Sequence, residues 1–408
     1  MTLRRNLLRR LTGLAGAVGL AGCFGRSEQG TVGPSADLPP NPRGDELPRR
    51  QHAWNERLAA REDGNRLLPR HFRILLLTLD GEPTEEDAAT VERAIRTLEA
   101  AFDYGPEGLL HMLGWGSDYF ERLDRLEASP VRHPQVLSRT DDPDLLSFDA
   151  ALVLASDDPS HLNAVESAMF DSDSELAGET VEERLGDVLS IRTRRTGFTG
   201  DGLPADHADT DGVPSEIPSD VPNFMGVFSN VRGAQASEDR VTIEDGPYEG
   251  GTTMHLSHLR QSLDAWWGMD ESERTERMFS PEFTPADVDA LETDLPFTDN
   301  VTDHARDEGV VGHWEKVARV REDGEPLLLR RDFNTVDSGH AGVHFLSLQK
   351  DLEDFVTTRD AMNGWWLREE HESPGTVNDR ENNGILDFVE VLSRANFYVP
   401  PRAERAFP

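Results

Sequence analysis

Lysine and cysteine are nearly missing from this chain of 408 residues. Its two lysines are Lys316 and Lys350, so 39 of its 41 basic residues are arginines. With a single cysteine, Cys23, it has no intramolecular disulfide and no zinc or iron–sulfur site built from cysteine pairs. Positive charge is also scarce, since 77 acidic residues give a net charge of −36. Such a charge would repel a phosphate backbone, which excludes nucleic acid as a partner.

Long apolar segments are scarce as well. The mean hydropathy of −0.56 excludes a protein that crosses a membrane several times. The acidic residues are spread through segments that also carry Trp, Phe, Leu and Val, and they are not gathered in a disordered tail. Acid-rich, lysine-poor chains suit very salty surroundings, where carboxylates hold water and salt screens their repulsion. We therefore expect a halophilic protein.

The first 23 residues have the features of a targeting segment. Arginine pairs at 4–5 and 9–10 precede an apolar run that is too short to span a bilayer. Paired arginines before a weakly hydrophobic, glycine-rich core indicate a twin-arginine signal peptide, and either pair remains a candidate for its motif. The run ends in Leu-Ala-Gly-Cys at 20–23, which resembles a bacterial-type lipobox. We expect an exported protein with lipid on Cys23, anchored at the outer cell surface; an incidental cysteine at a helix end is the alternative.

The remaining chain divides into four predicted regions. Residues 24–50 are rich in Gly, Pro, Ser and Asp and predict a flexible tether. Residues 51–200 predict a first ferredoxin-like half, residues 201–222 an acidic loop, and residues 223–408 a second half of similar type. No sequence repeat connects the two halves.

Hydrophobic patterns give the elements of each half. In the first, apolar runs predict strands at 72–79, 109–113 and 148–155, with helices beginning near Pro83 and Asp157. In the second, Leu256, Leu259, Leu263 and Trp266 recur at helical spacing and predict a helix from about Thr253. We also expect strands at 327–331 and 341–348, and a last long helix from Gln349. The predicted fold class is α+β, with antiparallel sheets, peripheral helices and the architecture of a dimeric α+β barrel.

Histidine and arginine near strand ends are the residues that could carry chemistry. No glycine-rich phosphate loop, GxSxG elbow or HExxH helix is found in the sequence. His313 lies 17 residues before Arg330, and such a pair could flank the two faces of a planar cofactor. A histidine that only packs in the core or lies at the surface is the alternative. His255, His258, His340 and His344 lack a shared carboxylate motif, so we expect no separate metal site.

Seven segments, in order, resemble the dye-decolourising (DyP-type) haem peroxidases. They lie at 114–116, 148–158, 197–202, 224–228, 250–261, 329–334 and 342–351. The match covers most of the chain after the tether and identifies it as a divergent, halophilic archaeal member of that family. The resemblance implies haem b as cofactor and hydrogen peroxide and an unknown reductant as substrates. The lipobox-like segment adds the membrane as a partner through the lipid anchor. Whether the protein forms a homo-oligomer stays open.

The resemblance also implies roles for individual residues. His313 takes the place of the iron ligand, with His304 as the alternative. Arg330 takes the place of the arginine that stabilises the anionic peroxide oxygen, Asp201 that of the acid–base group, and Asp351 that of a carboxylate orienting the imidazole. Arg331 is the alternative to Arg330 and would face the other side of the strand.

The chain departs from the family's signature at one point. The run GFTGDG at 197–202 contains an extra residue, which moves the carboxylate of Asp201 by about 3.3 Å along an extended chain. An ordinary turn at Asp201-Gly202 is therefore an equal alternative to a catalytic role. Two further functions stay open: haem binding or iron release without peroxidase turnover, and a haem-free interaction module of the same fold.

Overall fold

The computed structural model describes residues 38–39, 41–61, 66–227, 233–289, 300–369 and 376–408. The predicted signal peptide and its Cys23 lie outside the described residues, as does most of the predicted tether. The described end of the tether, residues 41–50, packs on the folded body, because Leu47 is buried and Arg43 Nη1 donates to the Glu99 carbonyl at 2.8 Å. The body therefore begins earlier than the predicted residue 51.

The first half has the order strand–helix–strand twice over. Its strands are β1 (His71–Leu79), β2 (Leu110–Gly116), β3 (Ala150–Ser156) and β4 (Leu189–Phe198), and its helices are α1 (Glu85–Ala101), α2 (Ser117–Arg122) and α3 (Pro159–Phe170). Helix α1 begins with a capping box, in which Thr84 Oγ1 accepts from the Asp87 amide and the Asp87 carboxylate accepts from the Thr84 amide. The strands lie in the order β4-β1-β3-β2, all antiparallel neighbours.

The second half repeats this arrangement. Its strands are β5 (Thr252–Gln261), β6 (Phe333–Thr335), β7 (Gly342–Gln349) and β8 (Val389–Val399), in the order β6-β7-β5-β8. Its helices are α4 (Leu263–Trp267), α5 (Glu271–Met278), α6 (Pro285–Asp289), α7 (Val301–Asp307), α8 (His313–Val317), α9 (Leu352–Asn363) and α10 (Trp366–Glu369). Strands of two residues lie at Asp144–Leu145, Glu175–Leu176, Glu179–Thr180, Arg321–Glu322, Glu325–Pro326 and Leu329–Arg330.

The two half-sheets close into one barrel. Strand β4 meets β6 where Phe198 pairs with Asn334, and β2 meets β8 where Gly116 pairs with Phe397. Glycine is required beside the first junction, because a Cβ at Gly197 would lie 2.0 Å from the carbonyl oxygen of Asn334. Gly116 is required by packing within the first half, because a Cβ there would lie 2.2 Å from the carbonyl oxygen of Phe148. The predicted α+β fold with two ferredoxin-like halves is confirmed.

Alternating side chains of the strands fill the two sides of the sheet. In β1, Ile74 and Leu76 point into the barrel, where they belong to a core that also contains Leu256 and Phe397 from the second half. The intervening Leu75, Leu77 and Leu79 pack under the helices α1 and α3. Burial on both sides explains why β1 is a nearly continuous apolar run.

One predicted helix is wrong. Residues 252–261 form strand β5, and the helix α4 begins only at Leu263. Met254 and Leu256 alternate into the barrel, so apolar residues at 256 and 259 fit either period. The sheet pairing of Thr253–Arg260 with both β7 and β8 decides the structure. Two long strands, β4 and β8, were not predicted, because arginines interrupt the apolar pattern of β4 and the buried polar residues Ser393, Arg394 and Asn396 interrupt that of β8.

The predicted acidic loop contains turns and one short 3-10 helix, Ala205–His207. Its ends are joined by hydrogen bonds from the Gly200 and Gly202 amides to the carbonyls of Pro222 and Val221, at 3.0 and 3.3 Å. Among the described residues, no helix is long and apolar enough to cross a membrane.

Candidate functional site

A cavity of about 260 Å³ lies between the outer face of the second half-sheet and the helices α8 and α9. Its walls are mostly apolar, with Leu259, Val343, Phe345 and Met362 among them. Its polar wall residues come from several elements; they are Asn223, Ser257, Gln261, His313, Arg321, Arg330, Asp332, Thr358, Arg359 and Arg394. The cavity therefore brings histidine and several arginines together in an apolar setting.

His313 is the first residue of α8 and lines this cavity. Its position depends on Gly312, where a Cβ would lie 1.9 Å from the carbonyl oxygen of Phe279. The Gly312 amide donates to Glu315 Oε1 at 2.6 Å, which caps the helix. Close packing and the cap together fix where the imidazole enters the cavity.

The imidazole of His313 is neutral and incompletely bonded. Its Nδ1 atom is buried without a hydrogen-bond partner. Burial above all, and then the charges of Lys316, Arg330 and Arg359, together lower the pKa of His313 to about 3. At neutral pH the ring therefore keeps a free lone pair, which is the form that binds a metal.

Arg330 and Arg331 point to opposite sides of the chain. Arg330 lines the cavity, and its Nη2 lies 3.5 Å from the Ala234 carbonyl. Arg331 Nη2 donates to Asn55 Oδ1 at 2.7 Å and lies 3.3 Å from Glu238 Oε1, away from the cavity lining. This alternation places Arg330, and not Arg331, in the same cavity as His313.

Asp332 returns to the cavity side of the same segment. Its Oδ1 atom is buried and has no hydrogen-bond partner. Among the described residues that line the cavity it is the one carboxylate. Arg330 and Asp332 therefore place a guanidinium cation and a hydrogen-bond acceptor in the same cavity.

A second cationic region of the wall is formed by Arg359 of α9 and Arg394 of β8. Arg394 is 2% exposed, and its Nε and Nη1 atoms have no hydrogen-bond partner. Burial, followed by the charge of Arg359, lowers its pKa to about 9. Arg359 Nη2 donates to Asp141 Oδ2 at 3.2 Å, whereas its Nη1 is buried without a partner. In a chain of net charge −36, this concentration of buried cations favours an anionic ligand.

Two of the predicted site residues lie elsewhere. Asp201 is exposed in the turn that the Gly200 and Gly202 amides close, and it does not line the cavity. The extra residue of GFTGDG lets Gly200 adopt a φ of 120° there, so the carboxylate is carried out to solvent. Asp351 caps α9 by accepting from the Glu353 amide at 2.8 Å and pairs with Arg132; it has no contact with His313.

His304, the alternative iron ligand, is also outside the cavity lining. Its Nδ1 lies 2.7 Å from Glu315 Oε2, and its Nε2 lies 3.3 Å from Glu282 Oε1. Both ring nitrogens are therefore occupied by carboxylates.

Three cavity residues were missed by sequence reasoning. Asp332 could have been found from its two-residue spacing to Arg330, because alternate residues of an extended segment share a side. Arg394 lies in β8, which was not recognised as a strand, and Arg359 carries no motif. Within the described segments, no group of three or more His, Cys, Asp or Glu side chains is arranged to hold a metal ion. In line with this, His344 Nε2 bonds Asp337 Oδ2 at 2.8 Å.

The fold and family of the chain follow from comparison with known proteins. A DyP-type peroxidase from Cellulomonas bogoriensis superposes with a TM-score of 0.56 at 16% identity, covering 83% of this chain and 94% of that one. A dye-decolorizing protein from V. cholerae gives 0.51 at 12%, covering 87% and 99%. A DypB variant from Rhodococcus jostii RHA1 in complex with heme gives 0.51 at 15%, covering 88% and 99%. These likenesses establish the fold.

Sequence comparison gives the family. No curated protein matches the chain. Residues 69–401 match the model of a family described as "Family of unknown function (DUF7405)". The protein therefore belongs to DUF7405 and has the fold of DyP-type peroxidases.

Proposed function

We propose that this protein binds haem b in the cavity beside α8 and α9 and uses hydrogen peroxide to oxidise an as yet unknown reductant. The observation that carries the proposal is that a neutral histidine, His313, shares one apolar cavity with Arg330. The fold supports it, because the solved structures that share the fold include peroxidases and a complex with heme.

The residues around the cavity fit a haem. Several buried polar atoms in the lining lack hydrogen-bond partners, and a ligand would supply them; they are Gln261 Oε1, His313 Nδ1, Trp314 Nε1, Asp332 Oδ1, Arg359 Nη1, and Arg394 Nε and Nη1. Unsatisfied buried groups are costly, so their gathering at one cavity indicates a binding site. The apolar walls would accept the macrocycle, and Arg359 and Arg394 would meet its carboxylates.

Each protein group has a distinct task in this proposal. His313 would ligate the iron through its ring nitrogen, and bound haem would supply the redox chemistry. Arg330 would hold and orient the anionic oxygen of a deprotonated peroxide, because a guanidinium stays charged and offers fixed donors. The apolar wall would exclude water from the reacting oxygens.

Haem binding without turnover is the second candidate. Two observations favour it: Asp201 is exposed outside the cavity, and Asp351, which was expected to orient the imidazole of His313, instead caps α9. A carboxylate bonded to the imidazole would raise its basicity as a ligand, and Asp351 does not supply one.

We further propose that the protein is exported through the twin-arginine route in a salty environment and anchored by lipid on Cys23. The sequence supports this through its paired arginines, its single cysteine at the end of the apolar run, and its excess of acidic residues. Metabolic lipid labelling of the wild type and of Cys23→Ser tests the anchor. We expect label on the wild type alone; label retained on the serine variant would overturn it.

An absorption spectrum of the protein with haemin in molar salt tests haem binding. We expect a Soret band in the wild type, its loss in His313→Ala, and its retention in His133→Ala, which changes an exposed histidine. No haem uptake by the wild type would leave a haem-free module of this fold. A full band in His313→Ala would contradict the ligand assignment.

Peroxide-driven dye oxidation by the loaded protein then separates turnover from binding. We expect oxidation that falls at least 100-fold in Arg330→Ala, in keeping with the loss of an electrostatic donor. A Soret band without dye oxidation would favour the second candidate.

A further inference from the structure

We propose that Asp332, and not Asp201, is the carboxylate that takes up the proton of a hydroperoxide in this cavity. The inference rests on the proposed haem function and assigns its acid–base group. It starts from the placement of three consecutive residues: Arg330 and Asp332 line the cavity, whereas Arg331 between them pairs with Glu238 outside it.

The bonding of Asp332 leaves room for a ligand. An ionised carboxylate only accepts hydrogen bonds, and Oδ1 of Asp332 is buried without a donor. An unsatisfied buried acceptor costs free energy, which an O–H group entering the cavity would recover. Asp201 offers no such acceptor, because it is exposed and absent from the lining.

The charges around Asp332 suit the same task. The other charged or titratable groups in the described lining are His313, Arg321, Arg330, Arg359 and Arg394. All of them are cations or the neutral imidazole, so Asp332 is the one anion of the described wall. A proton released inside the cavity therefore has one carboxylate to go to.

The proton transfer is balanced within the cavity. The O–H bond of the hydroperoxide breaks, its proton bonds to Asp332 Oδ1, and the electron pair stays on the peroxide oxygen. The neutral peroxide and the carboxylate become a peroxide anion and a carboxylic acid. The guanidinium of Arg330, two residues away on the same side, then faces the new anion and stabilises it.

Cyanide binding to the ferric, haem-loaded protein tests this without using turnover. Hydrogen cyanide must lose its proton to bind as an anion, so its association rate reports the base in the cavity. We expect Asp332→Asn to slow association by about 100-fold at neutral pH, in the usual range for general-base catalysis. Asp332→Glu should recover most of the rate, because it restores a carboxylate.

The matched control is Asp201→Asn, for which we expect the wild-type rate and pH profile. Slow association in Asp201→Asn with a wild-type rate in Asp332→Asn would overturn the inference. Failure of haem uptake in both Asp332→Asn and Asp332→Glu would also overturn it, since Asp332 would then be structural. If the wild type itself takes up no haem, the proposed function fails, which is a different result from failure of this assignment.

Discussion

Nδ1 of His304 lies 2.7 Å from Oε2 of Glu315, a carboxylate that is itself fully buried. The same Glu315 caps the helix that begins at His313 by accepting from the Gly312 amide through its other oxygen. One side chain thus holds the alternative histidine away from the cavity and fixes the position of the histidine that enters it. Glu315 therefore positions both histidines, and of the two it is His313 that lines the cavity.

This relationship predicts that His304→Ala keeps haem binding and loses stability. Without His304, Oε2 of Glu315 retains Ser280 Oγ at 3.1 Å and loses its shorter bond. Burial already raises the pKa of Glu315, so the loss should cost about 1–3 kcal/mol of unfolding free energy. Denaturant unfolding and a haemin titration measure the two effects. Loss of the Soret band in His304→Ala with wild-type stability would contradict the assignment.

Removal of the Arg394 guanidinium should have opposite effects on the stability of the haem-free protein and on the binding of haem. A buried cation without hydrogen-bond partners at two nitrogens is costly in the absence of a ligand. We expect Arg394→Ala to leave the free protein as stable as the wild type or to make it more stable, and to weaken haem binding at least tenfold. Haemin titration and denaturant unfolding of the same samples measure both. Arg306→Ala, which changes an arginine that is 57% exposed, should alter neither.

How far the sequence predicts this protein depends on the element. Strand β1 and helix α1 were predicted because a continuous apolar run and an amphipathic pattern with a Thr84 cap are local signals. Strand β5 was not, because its apolar residues fit a helical period and only its pairing with β7 and β8 decides the structure. Local pattern cannot report a pairing with residues more than 80 positions away.

The residues of the candidate site were likewise predicted only in part. His313 and Arg330 were predicted from motif order, and the structure brings both to one cavity. Asp201 and Asp351 were carried over from the same resemblance, and the structure places both outside it. An inserted residue redirects the first, and the cap of α9 engages the second. Side-chain direction after an insertion depends on the turn that forms, which motif order does not specify.

Substitution of Gly312 should weaken haem binding, although Gly312 does not itself line the cavity. A Cβ at this position would meet the carbonyl oxygen and carbon of Phe279 at 1.9 and 2.3 Å, so α8 and His313 would have to move. We expect Gly312→Ala to lower haem affinity at least tenfold and to destabilise the fold by about 1–3 kcal/mol, as overpacking does. Gly105→Ala is the control, since a Cβ there meets no atom within 4 Å and its φ lies outside the left-handed region. Equal haem affinity in both variants would show that α8 tolerates the shift.

A buried ion network joins α1 to the end of the chain. Arg405, which is fully buried, donates to Glu99 Oε1 at 2.5 Å and to Glu92 Oε2 at 2.8 Å, and Arg402 also bonds Glu99. Burial alone would raise the pKa of Glu99, but Arg405 and then His111 and Arg402 hold it at about 2. His111, beside Glu99, has its pKa lowered to about 3 by burial first and by Arg402 next.

Both shifts make the protein less stable in acid. Glu99 of the unfolded chain binds a proton below its ordinary pKa of 4.5, whereas Glu99 of the folded chain stays ionised down to about pH 2. Its contribution to the free energy of unfolding is therefore complete above pH 4.5 and is lost as the pH falls toward 2. His111 adds to the same loss of stability between pH 6.5 and about 3, because in that range its imidazole is protonated in the unfolded chain and neutral in the folded one. We expect Glu99→Gln to be less stable near neutral pH by about 3 kcal/mol, and this difference from the wild type to shrink below pH 4.5.

Denaturant unfolding at a series of pH values in high salt measures this difference. The wild-type-minus-variant comparison removes the many other carboxylates of the chain from the result. Glu46→Gln is the matched control, because Glu46 pairs with Arg43 at 3.1 Å but is 67% exposed, and exposed pairs contribute little. A stability difference for Glu99→Gln that stays constant between pH 7 and 3 would mean that the carboxylate is not ionised in the fold, and that Arg405 is held by hydrogen bonds without an ion pair.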